Sequence, residues 1–146
     1  MAPEIVFEQR PSYLFVHVTG HNSAEAVELY MKDVLERCTE IELFRVLIHE
    51  CLEGERLSPM QIFDLVSEGS ARALGKFDAI AFVDEKMGEM ANFAETVAVN
   101  RGIPIAMFSN LVDAENWIVR QDDDSDSQRI FRGTDQDKTQ FRKESM

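Results

Sequence analysis

An α/β domain built on a single mixed, mostly parallel sheet is the fold class this sequence predicts. Three observations carry that expectation. Short β-rich runs alternate with segments of helical periodicity, and only a few residues separate the two opening runs. The later runs, "RVLIHEC" (45–51), "DAIAFVDE" (78–85) and "IPIAMFS" (103–109), are almost continuously apolar. Continuous apolarity marks strands covered on both faces, the habit of parallel strands joined by helical crossovers. The expected element order is β-β-α-β-α-β-α-β-α within one domain over residues 1–119.

The opening pair is "EIVFEQ" (4–9) and "YLFVHVTG" (13–20), joined through Arg10, Pro11 and Ser12. So short a connection predicts an antiparallel start. A first helix opens at "HNSAE", where Asn22 with Glu25 has the form of a capping box and Ser23 is the competing cap. Its apolar stripe, Val27, Tyr30, Met31, Val34, Leu35 and Cys38, follows helical spacing. After the strand 45–51 comes an acidic crossover loop, "LEGER". A second helix then starts with Ser58 as cap, Pro59 at the first helical position and Gln61 at the third. It is expected to run to about Leu74, turning Ile62, Phe63, Leu65, Val66 and Ala73 to the core. A third helix, carrying Met87, Met90, Phe93, Ala94, Val97 and Ala98, stops at Gly102, a natural residue after a helix end. "NLVDAENWI" closes the domain as a short helix with Ala114, Trp117 and Ile118 on one face. Right-handed crossovers are expected to place helices on both faces of the sheet. Periodicity leaves the strand order open.

Composition narrows the classes of function. A chain of 146 residues, 45% hydrophobic, can bury a proper core without disulfides or structural metal. Its two cysteines, Cys38 and Cys51, argue against a disulfide framework and against a four-ligand zinc site. The start "MAPEIVFEQR" has no basic region followed by an apolar stretch, so no signal peptide is expected, and no apolar run is long enough to span a membrane. A reduced, cytoplasmic location follows as the expectation. The net charge of −12 argues against nucleic acid and anionic membrane surfaces, both of which select basic patches. From Gln121 the chain becomes polar and aperiodic, beginning "QDDDSD", so residues 120–146 are expected to form a disordered tail.

Several of these segments resemble the SpoIIAA-like group of domains, which is related to the STAS domains and compared with the lipid-carrying CRAL-TRIO domains. The resemblance rests on "YLFVHVTG" leading through Gly20 into a helix, on the strand "DAIAFVDE", and above all on "IPIAMFSNLVDAENWI". That last segment is similar to the group's final strand, turn and helix, with Ala114 and Trp117 in place. The likeness covers roughly residues 4–119. It implies a small non-enzymatic domain that binds protein partners or apolar ligands. In the phosphorylatable members, a serine within an Asp-Ser-Ser/Thr-Gly-like motif begins the helix after the central strand. Here "LEGERLSPMQ" has Ser58 at that helix start without the motif, so Ser58 reads as a cap.

Sites in open α/β sheets gather beyond the carboxyl ends of parallel strands. That places His49, Glu50, Cys51, Ser58, Asp84 and Ser109 on a candidate binding or regulatory edge. His49 and Cys51, two apart on a strand, share a face, yet nothing in the sequence orients them as a nucleophilic pair. No catalytic residue is therefore assigned, and thiol chemistry at Cys51 is the exception to test. The histidines His17, His21 and His49 lie on separate elements without ligand spacing, so no metal and no cofactor is expected. Glu50, Asp84 and Glu85 read as solvated carboxylates near helix N-termini. Phe63, Met87, Met90 and Phe93 are candidate linings for an apolar ligand, since Met and Phe adapt to irregular shapes. The expected function is a non-enzymatic binding or regulatory domain acting on a protein partner through the acidic loop 51–57. The alternative is a carrier of a small apolar ligand or lipid between helices and sheet. Homodimerisation through a helix or edge strand is compatible with either.

Overall fold

A tight turn, in which Arg10 N donates to Tyr13 O at 2.9 Å, joins β1 (Glu4–Gln9) to β2 (Leu14–His21) as the antiparallel pair expected from their short connection. The computed structural model describes residues 2–67, 76–86 and 88–121. Parallel pairing then adds β3 (Arg45–Glu53), β4 (Ala79–Val83) and β5 (Ile105–Phe108) in turn. The sheet order is β1-β2-β3-β4-β5, so the domain has the mixed, mostly parallel α/β architecture that the sequence predicts.

That order advances in one direction and never reverses. Right-handed crossovers therefore deliver α1 (Ala24–Ile41), α2 (Pro59–Ser67) and α3 (Met90–Asn100) to the same face. The other face receives α4, residues 111–121. Helices do cover both faces as expected, but among the described residues three lie on one side and one on the other. Strand alternation sorts the core to match. Val16, Val18, Val46, Ile48 and Leu52 pack with Tyr30, Val34 and Cys38 of α1. Leu47, Ala79, Ala81 and Val83 pack with Ala114 and Ile118 of α4.

The caps explain where the helices begin and end. Ser23, rather than Asn22, caps α1: its side chain accepts from Ala26 N at 3.0 Å. Before α2, Ser58 and Gln61 form the reciprocal box read from the sequence, with Gln61 N donating to Ser58 Oγ and Ser58 N to Gln61 Oε1. Helix α3 ends in a Schellman arrangement, in which Gly102 N donates to Val99 O and Ile103 N to Ala98 O. Gly102 supplies the positive φ of 76°. At the end of α1 the same task falls to Glu42, at φ 56°.

Some expectations need correction. Strand β3 does not stop at Cys51: Leu52 and Glu53 continue it, paired with Gly20 and His21. The reason is Leu52, which is completely buried and is drawn onto the sheet by the core. Helix α4 passes residue 119 and reaches 121, where Gln121 Nε2 donates to Trp117 O at 3.3 Å. Phe63 does not face the core. It is 39% exposed, and the Arg101 guanidinium lies 5.0 Å from its ring centre. Phe93 is likewise 38% exposed. The predicted end of the second helix near Leu74, the packing of Val66 and Ala73, Met87, and the predicted tail from residue 122 onward lie outside the described residues.

Candidate functional site

A cavity of about 680 Å³ lies between the sheet and the layer of α1, α2 and α3. Its walls are mostly apolar, with Glu28, Lys32, Gln61 and Asp64 among them, and come from every element around it. Val27, Met31 and Leu35 line it from α1, and Ile62 and Leu65 from α2. Met90, Ala94 and Ala98 line it from α3, and Ile80, Phe82, Ile105 and Met107 from β4, its end and β5. The α1 contribution has a simple local cause. Positions 27, 31 and 35 recur every four residues, so they form one ridge beside the buried Tyr30–Val34–Cys38 stripe.

One end of this cavity is polar. Asn22, Glu50, Arg56 and Asp84 all line it, and Asn22, Glu50 and Asp84 are buried. Tyr30 OH, itself fully buried, donates to Glu50 Oε2. Burial pushes the Glu50 carboxyl up to about 8; the charge of Asp84 adds to this, whereas the Tyr30 hydrogen bond and the Arg56 charge oppose it. Burial, with Glu50, also drives the Tyr30 hydroxyl well above the usual phenol range. At neutral pH Glu50 is therefore mostly a neutral acid. Asp84 is paired with Arg56 at 3.5 Å and accepts from Lys86 N at 3.0 Å.

The loop between β3 and α2 is drawn inward to complete this end. Arg56 Nη2 donates to Leu52 O at 2.8 Å, and Asn22 Nδ2 donates to Glu55 O at 2.8 Å. Asn22 N also donates to Glu53 O at 2.7 Å. Asn22 Oδ1 is buried and has no hydrogen-bond partner among the described residues. An acceptor left in that condition costs about 1–3 kcal/mol, which makes it a marked feature beside an apolar cavity.

The predicted edge thus divides between two faces of the sheet. Alternation along β3 sends Glu50 to the cavity and His49 and Cys51 to the opposite side. Glu50 and Asp84 are buried, not solvated as expected; Glu85 alone of the three remains exposed. Ser58 is an exposed cap before α2, and Ser109 is exposed at the end of β5. Of the predicted apolar lining, Met90 reaches the cavity, Phe63 and Phe93 sit on the outer surface, and Met87 is outside the described residues. Sequence reasoning missed Asn22, Arg56, Met31 and Met107 as cavity residues, and Tyr30 as the buried partner of Glu50. Tyr30 carried a signal, being a phenol inside an otherwise aliphatic stripe. A buried phenol needs a partner for its hydroxyl.

On the opposite face, the parallel register sets His17 directly against His49. Their Nδ1 atoms are 3.2 Å apart, and Cys51 Sγ lies 3.4 Å from His49 Nε2. The histidines, judged from the chain to lack ligand spacing, are therefore neighbours, because strand pairing rather than sequence separation sets their distance. A thiol, an imidazole and a second imidazole in line have the outline of a nucleophilic relay. The electrostatics run the other way. Burial first, then Glu85 and Asp84, push the Cys51 thiol up, which disfavours the thiolate that such chemistry needs. Burial and the neighbouring His17 lower the His49 imidazole.

No helix among the described residues is long and apolar enough to cross a membrane. No protein-family model matches the chain, and no curated protein matches it. Among solved structures, it is similar to an uncharacterised protein of the DUF3478 family from Shewanella loihica PV-4, described as having a SpoIIAA-like fold. The two share 23% identity over 80% of this chain and 93% of the other, with a TM-score of 0.48.

Proposed function

We propose that the domain is a non-enzymatic binding protein that holds a small amphipathic molecule between its sheet and its three-helix layer. The observation that supports this reading is the cavity itself, about 680 Å³, within the range of about 300–1,000 Å³ typical of small-molecule sites. Largely apolar walls and a buried polar end match a ligand with an aliphatic body and one hydrogen-bonding head, with Glu28, Lys32, Gln61 and Asp64 lining the cavity as well. Of the two readings that the sequence leaves open, partner surface or apolar carrier, the cavity favours the carrier. The acidic loop, tied inward by Arg56 and Asn22, acts in this reading as the cap over the polar end.

The head group is expected to be uncharged. Asp84 and Arg56 already neutralise each other, and Glu50, with its carboxyl near 8, adds no full charge at neutral pH. A carboxylate or phosphate head would bring an extra negative charge beside the buried Asp84, where it is poorly tolerated. A hydroxyl or amide can instead donate to Asn22 Oδ1, the acceptor without a partner among the described residues. Long-chain alcohols and related neutral lipids are the ligand class.

Titration with dodecanol and with dodecanoate, followed by calorimetry, tests the reading. Saturable one-to-one binding of dodecanol, tighter than dodecanoate and abolished by Ala94→Phe, is the expected result. Ala94 lines the cavity on α3, so the larger ring blocks it. Absence of saturable binding by either compound, together with native mass spectra free of any co-purifying ligand, would overturn it.

A further inference from the structure

We propose that His17, His49 and Cys51, on the sheet face opposite the cavity, form a binding site for a transition-metal ion of the zinc class, with Glu85 positioned to complete it. This site is separate from the proposed ligand cavity and stands or falls independently of it.

Three independent features of the backbone bring the donors together. The β2–β3 register pairs His17 with His49. Strand alternation puts Cys51 on the same face as His49. The segment after β4 then brings Glu85 Oε2 to 3.8 Å from His49 Nε2. One ligand atom from each of His17, His49 and Cys51 can be chosen so that all lie within 4.8 Å of one another. His49 meets His17 through Nδ1, at 3.2 Å, and Cys51 Sγ through Nε2, at 3.4 Å, and one of these two nitrogens serves the ion. A tetrahedral zinc ion, with bonds of about 2.0–2.3 Å, separates its ligand atoms by about 3.3–3.7 Å. Separations of up to 4.8 Å exceed those of a closed shell, so rotation of the imidazole and carboxylate side chains must bring the donors onto one ion.

The donor chemistry selects the ion. Two imidazoles and a sulfur favour zinc and its neighbours in the first transition row over magnesium or calcium, which take oxygen ligands. The imidazole rings are tilted by 55° with centres 5.0 Å apart, so they converge at their nitrogens instead of stacking. All three residues are half-buried, which leaves the donors held by the sheet yet reachable by an ion. Glu85 is 62% exposed at the rim, and the nearby Lys86 is paired with Glu53 at 2.8 Å. On binding, the Cys51 S–H bond breaks, its proton leaves to solvent, and a metal–sulfur bond forms. No electron is transferred.

Cobalt(II) serves as the spectroscopic probe for zinc. The full chain, purified with chelator and reductant, is titrated with cobalt and then with zinc in competition. The expected result is one cobalt per chain, intense visible bands of a four-coordinate ion, a thiolate-to-cobalt charge-transfer band, and loss of all of them as zinc displaces cobalt. Cys51→Ser should remove the charge-transfer band, and His17→Gln or His49→Gln should weaken binding by about tenfold or more. His21→Gln and Cys38→Ala serve as controls that keep the spectrum. Circular dichroism and thermal unfolding establish that each variant is folded. The proposal is overturned if no cobalt binds at micromolar concentration, or if folded Cys51→Ser keeps the charge-transfer band. It is also overturned if His21→Gln abolishes binding while His17→Gln does not.

Discussion

The hydroxyl of Tyr30, on α1, donates to the carboxyl of Glu50, on β3, inside a core where both side chains are buried. This bond couples the first crossover helix to the central strand and holds the acid at the polar end of the cavity. Removing the hydroxyl leaves Glu50 buried with one partner fewer. Tyr30→Phe should therefore destabilise the domain by about 1–3 kcal/mol. Urea unfolding monitored by circular dichroism measures this, and an unchanged midpoint would show that the bond contributes nothing net.

Glu50 makes stability depend on pH in an unusual direction for a carboxylate. In the unfolded chain it titrates near 4.5, and in the folded domain its carboxyl is pushed up to about 8. Between those values the folded state holds a proton that the unfolded state has released. The Glu50 contribution is thus fully present below the unfolded value and is lost as pH rises through the folded one. Stability should fall by about 1–4 kcal/mol across this interval, at up to about 1.4 kcal/mol per pH unit. Glu50→Gln should flatten the fall. Denaturant midpoints taken at pH steps from 5 to 9 decide it, and parallel curves for both proteins would exclude Glu50 as the cause.

Filling the cavity should separate stability from binding. Ala94→Leu adds apolar volume at a wall position, and each buried methylene is worth about 0.8 kcal/mol. The ligand-free variant should melt at a higher temperature than the parent, while its gain in melting temperature on adding dodecanol shrinks. A variant that melts lower would mean that the wall cannot accept the added carbons.

Glu42 ends α1 in the left-handed region at φ 56°, ψ 44°, where an L side chain is strained and glycine is the usual residue. Glu42→Gly should raise stability by about 0.5–1 kcal/mol, relief of strain outweighing the entropy lost by glycine on folding. Chemical denaturation reads the change directly. A loss of stability instead would mean that the Glu42 side chain makes interactions stronger than the strain.

Much of the fold is legible in the sequence because its causes are local. The Ser58–Pro59–Gln61 start of α2, Gly102 after α3 and the apolar runs of β3, β4 and β5 each carry their own signal within a few residues. Leu52 shows where local reading fails. In "LEGER" it looks like part of an acidic loop, but burial against the core extends the strand to Glu53. Phe63 fails in the opposite sense. Helical spacing allows it to face inward, but the placement of α2 turns it outward beneath Arg101.

The element types, their order, the Ser58 and Gly102 caps, and the concentration of polar residues at the carboxyl end of the central strand follow from local sequence alone. How those residues are grouped depends on the packing of the whole sheet. An unreversed strand order collects three helices on one face and makes room for the cavity there. The alternation of β3 then assigns Glu50 to that cavity, and His49 and Cys51 to the other side. The β2–β3 register adds His17, 32 positions distant in sequence from His49. Local propensity acts over a few residues, whereas strand order and register are set by burial and hydrogen bonding across the whole sheet. The site follows from the latter.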